Sequence, residues 1–297
     1  MMKYKLASTE WTSKTTENYR IHLEGYTFDI WGERPIDSFQ PQEIRDLIMI
    51  SMKDKTDAHK KNVLKFIRAG FAFASDRGYI RGSPVPTIKL KPSEKLTTVL
   101  TAPEMGILLN RAKELEHPWY EVWVCACYLG MRSGELYALR WDKVDFERNQ
   151  IRVDQAYNSE DGFKGTKSNE DRWVKIAPGL LPILLEMKLK ANGDPFVLPR
   201  FPQWEKGEQA RILRDFILGI GLPRIRFHDL RAFWATLLLN NGVEPIKVMK
   251  LGGWKDMASF QLYIRFSAVD LADTVDKLIL HNPSREVAEV VSLDSRR

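Results

Sequence analysis

Cysteine is scarce: the 297 residues hold two, Cys125 and Cys127. They stand two apart in a segment that reads as helix, where such positions do not face each other, so no disulfide is expected between them. There is no Cys-x-x-Cys pair and no Cys/His spacing suited to zinc. The two read as small buried hydrophobes of a reducing compartment. No stretch approaches the roughly 20 apolar residues needed to cross a bilayer. The start, MMKYKLASTEWTSKTTENYR, lacks an apolar core of signal-peptide length. The expectation is a soluble, cytoplasmic protein with no membrane partner. Repeats, low-complexity tracts and a P-loop are also missing.

Lysine and arginine outnumber aspartate and glutamate by 45 to 39, a formal charge of +6 that suits a polyanionic partner. Hydrophobic residues at 44% supply real cores, and the length allows two domains. The first third reads as helices. One covers residues 12–23, and Pro41 opens a second carrying Ile44, Leu47, Ile48 and Met49. Over residues 57–77, Val63, Ile67, Phe71 and Ala74 form a single apolar stripe, closed by Gly78. Residues 82–98 have no helical period and read as an extended linker. Lys89, Lys91 and Lys95 there either follow a phosphate backbone or keep the linker soluble.

Thr101 and Glu104 match a capping box. The helix they open continues through Leu108, Leu109, Ala112 and Leu115. An apolar helix follows over residues 119–129, and a third begins after Arg132. Around residues 150–177 the period changes to that of two short strands flanking a polar hairpin, NSEDGFKGTKSNEDR. From Pro178 the chain is helical again. We expect a mainly α fold: a helical domain over residues 1–90, a linker over 91–98, and a mainly helical domain over 99–297 with a small antiparallel β-sheet.

Five local signals fall in the second domain. In Leu129-Gly130-Met131-Arg132-Ser133-Gly134-Glu135-Leu136, a glycine turn presents Arg132 at a helix start, with Glu135 three residues on. Lys167 lies in the hairpin, with Lys164 three residues away. His228 and Arg231 stand at i and i+3, on one helix face, after a basic run containing Arg224 and Arg226. Trp254 and Tyr263 are nine residues apart. Each signal alone is common.

Taken in order, these residues resemble the tyrosine recombinases, the phage integrase family. Arg132 and Glu135 match the family's GxRxxEL turn, Lys167 its hairpin lysine and His228 with Arg231 its HxxR helix. Trp254 matches the position of a His or Trp nine residues before the tyrosine, here Tyr263. The resemblance covers the second domain; the first third is similar to the family's core-binding domain in size, helix pattern and position only. It implies that Tyr263 attacks a DNA phosphodiester to form a 3′-phosphotyrosine. Two arginine forks, Arg132 and Arg231, would clamp the phosphate. Lys167 would protonate the departing 5′ oxygen, and His228 would accept the tyrosine proton or bind phosphate. Trp254 would donate an indole hydrogen bond and wall the site, and Glu135 would orient the first arginine's helix or form a local salt bridge. No metal or other cofactor is implied, because the arginines supply the charge.

The implied partners are double-stranded DNA target sites, a tetramer of the same chain on synapsed DNA, and an accessory directionality factor. Lys89, Lys91, Lys95, Arg224 and Arg226 are candidate DNA contacts. Residues 270–280 form an amphipathic stretch that packs either on its own domain or on a neighbouring protomer. Two alternatives share these features: a type IB topoisomerase, and a non-catalytic DNA-binding protein of the same fold.

Overall fold

The computed structural model describes residues 11–92, 98–166 and 171–267. The expectations for Lys95, Lys167 and residues 270–280 lie outside the described residues. Among the described residues the chain opens with α1 (Ser13–Leu23), capped by Thr12, whose side chain accepts from Thr15 N, and continuing through a π-helical turn, Glu24–Phe28. α2 (Pro41–Asp46) runs into a second π-helical turn, Leu47–Ser51. α3 (Asp57–Asp76) buries Val63, Ile67, Phe71 and Ala74, the stripe expected from their spacing. Phe39, Ile44, Leu47, Ile48 and Met52 close a small core over it. Gly78 follows α3 at φ +73.

The extended stretch after α3 is not a free linker up to residue 91. Val85, Ile88 and Leu90 pack against the N-terminal core, while Lys89 and Lys91 point outward. Lys91 N donates to Asp57 Oδ2 at 2.8 Å. The apolar residues in the stretch make it a docked strap.

α4 (Ala102–Glu114) starts at the Thr101–Glu104 capping box and buries Met105, Leu108 and Ala112. Leu115 does not continue its apolar face: it is the C-cap and is 64% exposed. α5 (Tyr120–Leu129) is buried nearly all round, including the free Cys125 and Cys127, and runs through the centre of the larger core. α6 (Ser133–Tyr137) follows one turn later. β1 (Val144–Asp145), β2 (Gln150–Val153) and β5 (Arg172–Lys175) form an antiparallel sheet in the order β1-β2-β5, with Ile151 opposite Val174 and Val153 opposite Arg172. A separate hairpin joins β3 (Gln155–Asn158) to β4 (Gly162–Gly165). Two strands were expected, and five form among the described residues. β3 and β4 bury neither face fully, so they carry no apolar alternation to read.

After the sheet come the helices α7 (Leu181–Lys190), α8 (Pro202–Glu205), α9 (Gln209–Gly219), α10 (Phe227–Asn240), α11 (Pro245–Gly252) and α12 (Met257–Phe266). α10 is central. Phe227, Leu230 and Phe233 face the larger core, while Ala232, Trp234, Ala235 and Leu239 face a second cluster with Val248, Phe260 and Tyr263. Among the described residues no helix is long and apolar enough to cross a membrane.

Candidate active site

α5 stops at Gly130, which takes the left-handed conformation at φ +58. A side chain there would overlap the Trp234 indole, so glycine lets α5 end directly against α10. Arg132 then becomes the N-cap of α6. Glu135 closes this cap, accepting from Arg132 N at 2.8 Å and from Arg132 Nη1 at 2.8 Å. Glu135 is 1% exposed, and a second arginine, Arg172 of β5, forks the same carboxylate. Arg172 Nη1 donates to Oε1 at 3.0 Å and Nη2 to Oε2 at 2.6 Å. Burial pushes the Glu135 carboxyl up, but the hydrogen bonds and charges of Arg172 and Arg132 outweigh it and hold it below its ordinary value. Arg132 stays partly open and donates through Nη2 to Gly253 O at 2.9 Å.

α10 supplies the next two groups. Asp229, buried in its first turn, accepts from Arg226 N and Nη2, each at 2.7 Å, and so fixes the helix start. His228 then sits at the exposed rim and Arg231 one turn deeper, 2% exposed. Arg231 Nη1 donates to Gly130 O at 2.7 Å and Nη2 to Gly252 O at 2.8 Å. Its Nε has no partner among the described residues. Burial, and then the neighbouring Arg132, pull the Arg231 guanidinium down to about 9, which leaves it cationic at neutral pH. Desolvation by the surrounding protein, then the Arg231 charge, hold His228 below the ordinary imidazole value, although one edge of its ring meets solvent.

Gly253, at φ +74, ends α11, and Asp256 caps α12 by accepting from Ser259 N at 2.7 Å. Two turns into α12, the buried Tyr263 turns its hydroxyl to His228, with Oη 3.4 Å from Nε2. Trp254 stands beside both halves of the site. Its ring is 3.7 Å from Arg231 Cζ and meets the Tyr263 ring edge-on at 5.1 Å. Burial pushes the Tyr263 phenol above its ordinary value, opposed by Arg231 and by a hydrogen bond with Trp254.

The structure therefore brings together Arg132, Glu135, His228, Arg231, Trp254 and Tyr263. Lys167 lies outside the described residues, and the β3–β4 hairpin turns at residues 159–161. Lys164, the competing lysine, is held by Asp161 at 2.8 Å. Arg224 is exposed, whereas Arg226 is tied to Asp229 and caps α10.

Arg172 was not singled out from the sequence, yet its strand register carries the signal. Val174 and Ile176 point inward, so Arg172 must as well. Around the site, Arg132, Arg172 and Arg231 face one carboxylate, Glu135, an excess of two positive charges. A cavity of about 290 Å³ adjoins it, lined by Ser133, Gln209, Arg226, His228 and Arg231. Such a site can hold an oxyanion with guanidinium forks beside a phenol and an imidazole, the parts of a nucleophilic displacement at phosphorus. Among the described residues no cluster of His, Cys, Asp and Glu is placed to hold a metal ion.

Residues 98–268 match the phage integrase family over its sequence pattern. The chain belongs to the phage integrase family. Among curated members it is 26% identical over 233 residues to a XerC-like tyrosine recombinase of Caldanaerobacter subterraneus subsp. tengcongensis, covering 67% of this chain and 59% of that protein. It is 25% identical over 223 residues to the integrase of Salmonella phage P22, covering 73% of this chain and 56% of that one. The chain thus spans less than two thirds of the length of these two integrase-family relatives. Its fold is similar to that of the Tn1549 transposon integrase in complex with circular intermediate DNA, with a TM-score of 0.77 at 17% identity over 94% of this chain and 97% of the other. It is also similar to a λ integrase tetramer bound to a Holliday junction, with a TM-score of 0.71 at 18% identity over 88% and 74%.

Proposed function

We propose that the protein is a site-specific DNA recombinase, an integrase that cleaves and rejoins strands through a 3′-phosphotyrosine. The observation that carries this reading is the meeting of Tyr263, His228, Arg231 and Arg132, from three separate segments, at one site. In the first step Tyr263 Oη attacks the phosphorus of a phosphodiester and gives its proton to His228. The P–O5′ bond breaks, and the departing 5′ oxygen takes a proton from Lys167. In the second step the 5′-hydroxyl of the partner strand attacks the phosphotyrosine and releases the phenol. One phosphoester bond forms as another breaks, so no ATP is consumed.

On the same reading, residues 1–90 and 99–297 form two domains that close around duplex DNA, with Lys89, Lys91, Lys95 and Arg224 on phosphates. The separate N-terminal core and the outward lysines of the strap support this division. λ integrase is seen as a tetramer on a Holliday junction, and by analogy this chain assembles as a tetramer on synapsed target sites, with an accessory directionality factor. It works on DNA in the cytoplasm.

The test is a pool of randomised, nicked duplexes incubated with the protein and resolved in SDS. Resistant adducts, absent with Tyr263→Phe, are expected. Adducts of equal yield in that variant would remove Tyr263 as nucleophile. Binding without any adduct would make the chain a non-catalytic DNA-binding protein, and relaxation of supercoiled plasmid with no sequence preference would make it a topoisomerase.

A further inference from the structure

Three consecutive carbonyls, those of Leu251, Gly252 and Gly253, each accept from a different arginine. Arg172 Nε donates to Leu251 O at 2.9 Å, Arg231 Nη2 to Gly252 O at 2.8 Å and Arg132 Nη2 to Gly253 O at 2.9 Å. This short segment leads directly into Trp254 and the helix that bears Tyr263. Two of the three arginines have a place on phosphate under the recombinase reading. The third does not. Arg172 is 8% exposed, and its Nε, Nη1 and Nη2 each already serve a protein acceptor.

We propose that Arg172 is a positioning residue that sets Arg132 and the nucleophile-bearing segment in one register; this rests on the recombinase reading above. An arginine and a carboxylate left to themselves favour a two-pronged pair. If Arg132 took Glu135 in that way, its fork would turn toward the protein. Arg172 occupies both oxygens of Glu135 with its own fork, so the Arg132 side chain is held there by Nη1 alone. Its Nη2 reaches Gly253 O instead. The same Arg172 side chain anchors the far end of that segment at Leu251 O. Contact with the loop is direct: a Cβ at Gly253 would stand 3.2 Å from Arg172 Cδ and Nη1. Glu135, β5 and the approach to Trp254 are thus joined through one guanidinium.

The experiment uses the full chain and the nicked duplexes that the wild-type protein enriches from the randomised pool. Arg172→Lys keeps the charge but cannot fork Glu135 and reach Leu251 O together. Single-turnover adduct formation should fall about tenfold to a hundredfold, the cost of a small misplacement of reacting groups. The Kd for the same duplex should stay within about threefold. In an Arg132→Lys background, Arg172→Lys should cost less than about threefold more, because it acts through the group already altered. Arg172→Gln, which removes the charge and keeps one donor, should fall further than Arg172→Lys.

Wild-type rates in Arg172→Lys, an equal loss in both backgrounds, or a loss of binding that tracks the loss of rate would each overturn the proposal. If neither variant folds, Arg172 is a folding residue and the proposal also falls. A wild-type protein that forms no adduct defeats the recombinase reading itself. A wild-type protein that cleaves, beside an Arg172→Lys variant that cleaves as well, defeats only the positioning role.

Discussion

Arg231 Cζ lies 3.7 Å from the centre of the Trp254 ring, inside the range of a strong cation–π contact. The same indole meets the Tyr263 ring edge-on. One side chain therefore touches both the cation that would hold phosphate and the phenol that would attack it.

From this follows an order for adduct formation at position 254. Phenylalanine keeps a wall against Arg231 but loses the indole donor and some of the cation–π attraction; alanine loses all three. Adduct formation should fall from tryptophan to Trp254→Phe to Trp254→Ala, with a loss of about tenfold or more for alanine. Duplex affinity should change far less. Filter binding beside the rate of SDS-resistant adduct separates the two effects. A fall in affinity as large as the fall in rate would show that Trp254 serves binding alone.

The pH dependence follows from two groups that face each other. Desolvation and the surrounding arginines hold His228 below the ordinary imidazole value of about 6.5, so it is neutral and able to accept a proton at neutral pH. Burial holds Tyr263 above the ordinary phenol value of about 10. Adduct formation should be flat near neutrality, with an acid limb displaced below the ordinary imidazole range, where His228 protonates. Stability has the same sign. The unfolded chain binds the proton more readily, so the contribution of neutral His228 is present above about 6.5 and lost as pH falls through its lowered value. His228→Gln should abolish the acid limb of the rate profile. An unchanged limb in that variant would assign it to another group.

Much of this site was legible because its residues carry local grammar. The Gly130–Arg132–Glu135 turn, the His228–Arg231 spacing and the Trp254–Tyr263 interval are short-range patterns that a linear reading can find. The N-terminal stripe and the Thr101 capping box were legible for the same reason. What escaped depends on distance in the chain. Arg172 meets Glu135 across 37 positions and Leu251 across 79, and no local pattern announces either contact. The polar hairpin was legible, but its strands β3 and β4 escaped because neither face is buried enough to alternate. Arg226, a candidate DNA contact from its basic run, also caps α10 by donating to Asp229, a pairing that the run does not announce.

At Gly130 the end of α5 lies against Trp234 of α10. The glycine sits at φ +58, and a methyl group there would overlap the Trp234 indole. Gly130→Ala should cost about 2–5 kcal/mol, combining the left-handed backbone term with overpacking of a filled core. Chemical denaturation would read this as a lower midpoint at unchanged slope. Gly78, also left-handed, has open space around it. Gly78→Ala therefore carries only the backbone term, about 1–2 kcal/mol. Equal losses at the two positions would mean that α10 gives way freely to α5, and that Trp234 does not fix their spacing.

Glu135 is shared by two arginines and accepts from Arg132 N, Arg132 Nη1, Arg172 Nη1 and Arg172 Nη2. Glu135→Gln keeps the shape but removes the charge, and it turns one acceptor into an amide donor aimed at guanidinium donors. Breaking a buried ion pair from one side costs about 3–5 kcal/mol, because the opposite charge stays behind. Arg132 and Arg172 would then lose the carboxylate they share. The fold should lose about that much stability, and the rate of adduct formation should drop with it as Arg132 loses its anchor. Inorganic phosphate offers a discriminating measurement, since an anion bound among the arginines replaces part of the missing charge. Phosphate should raise the Tm of Glu135→Gln more than that of the wild-type protein. Equal shifts in the two proteins would place phosphate elsewhere and would mean that solvent, rather than Glu135, balances these arginines.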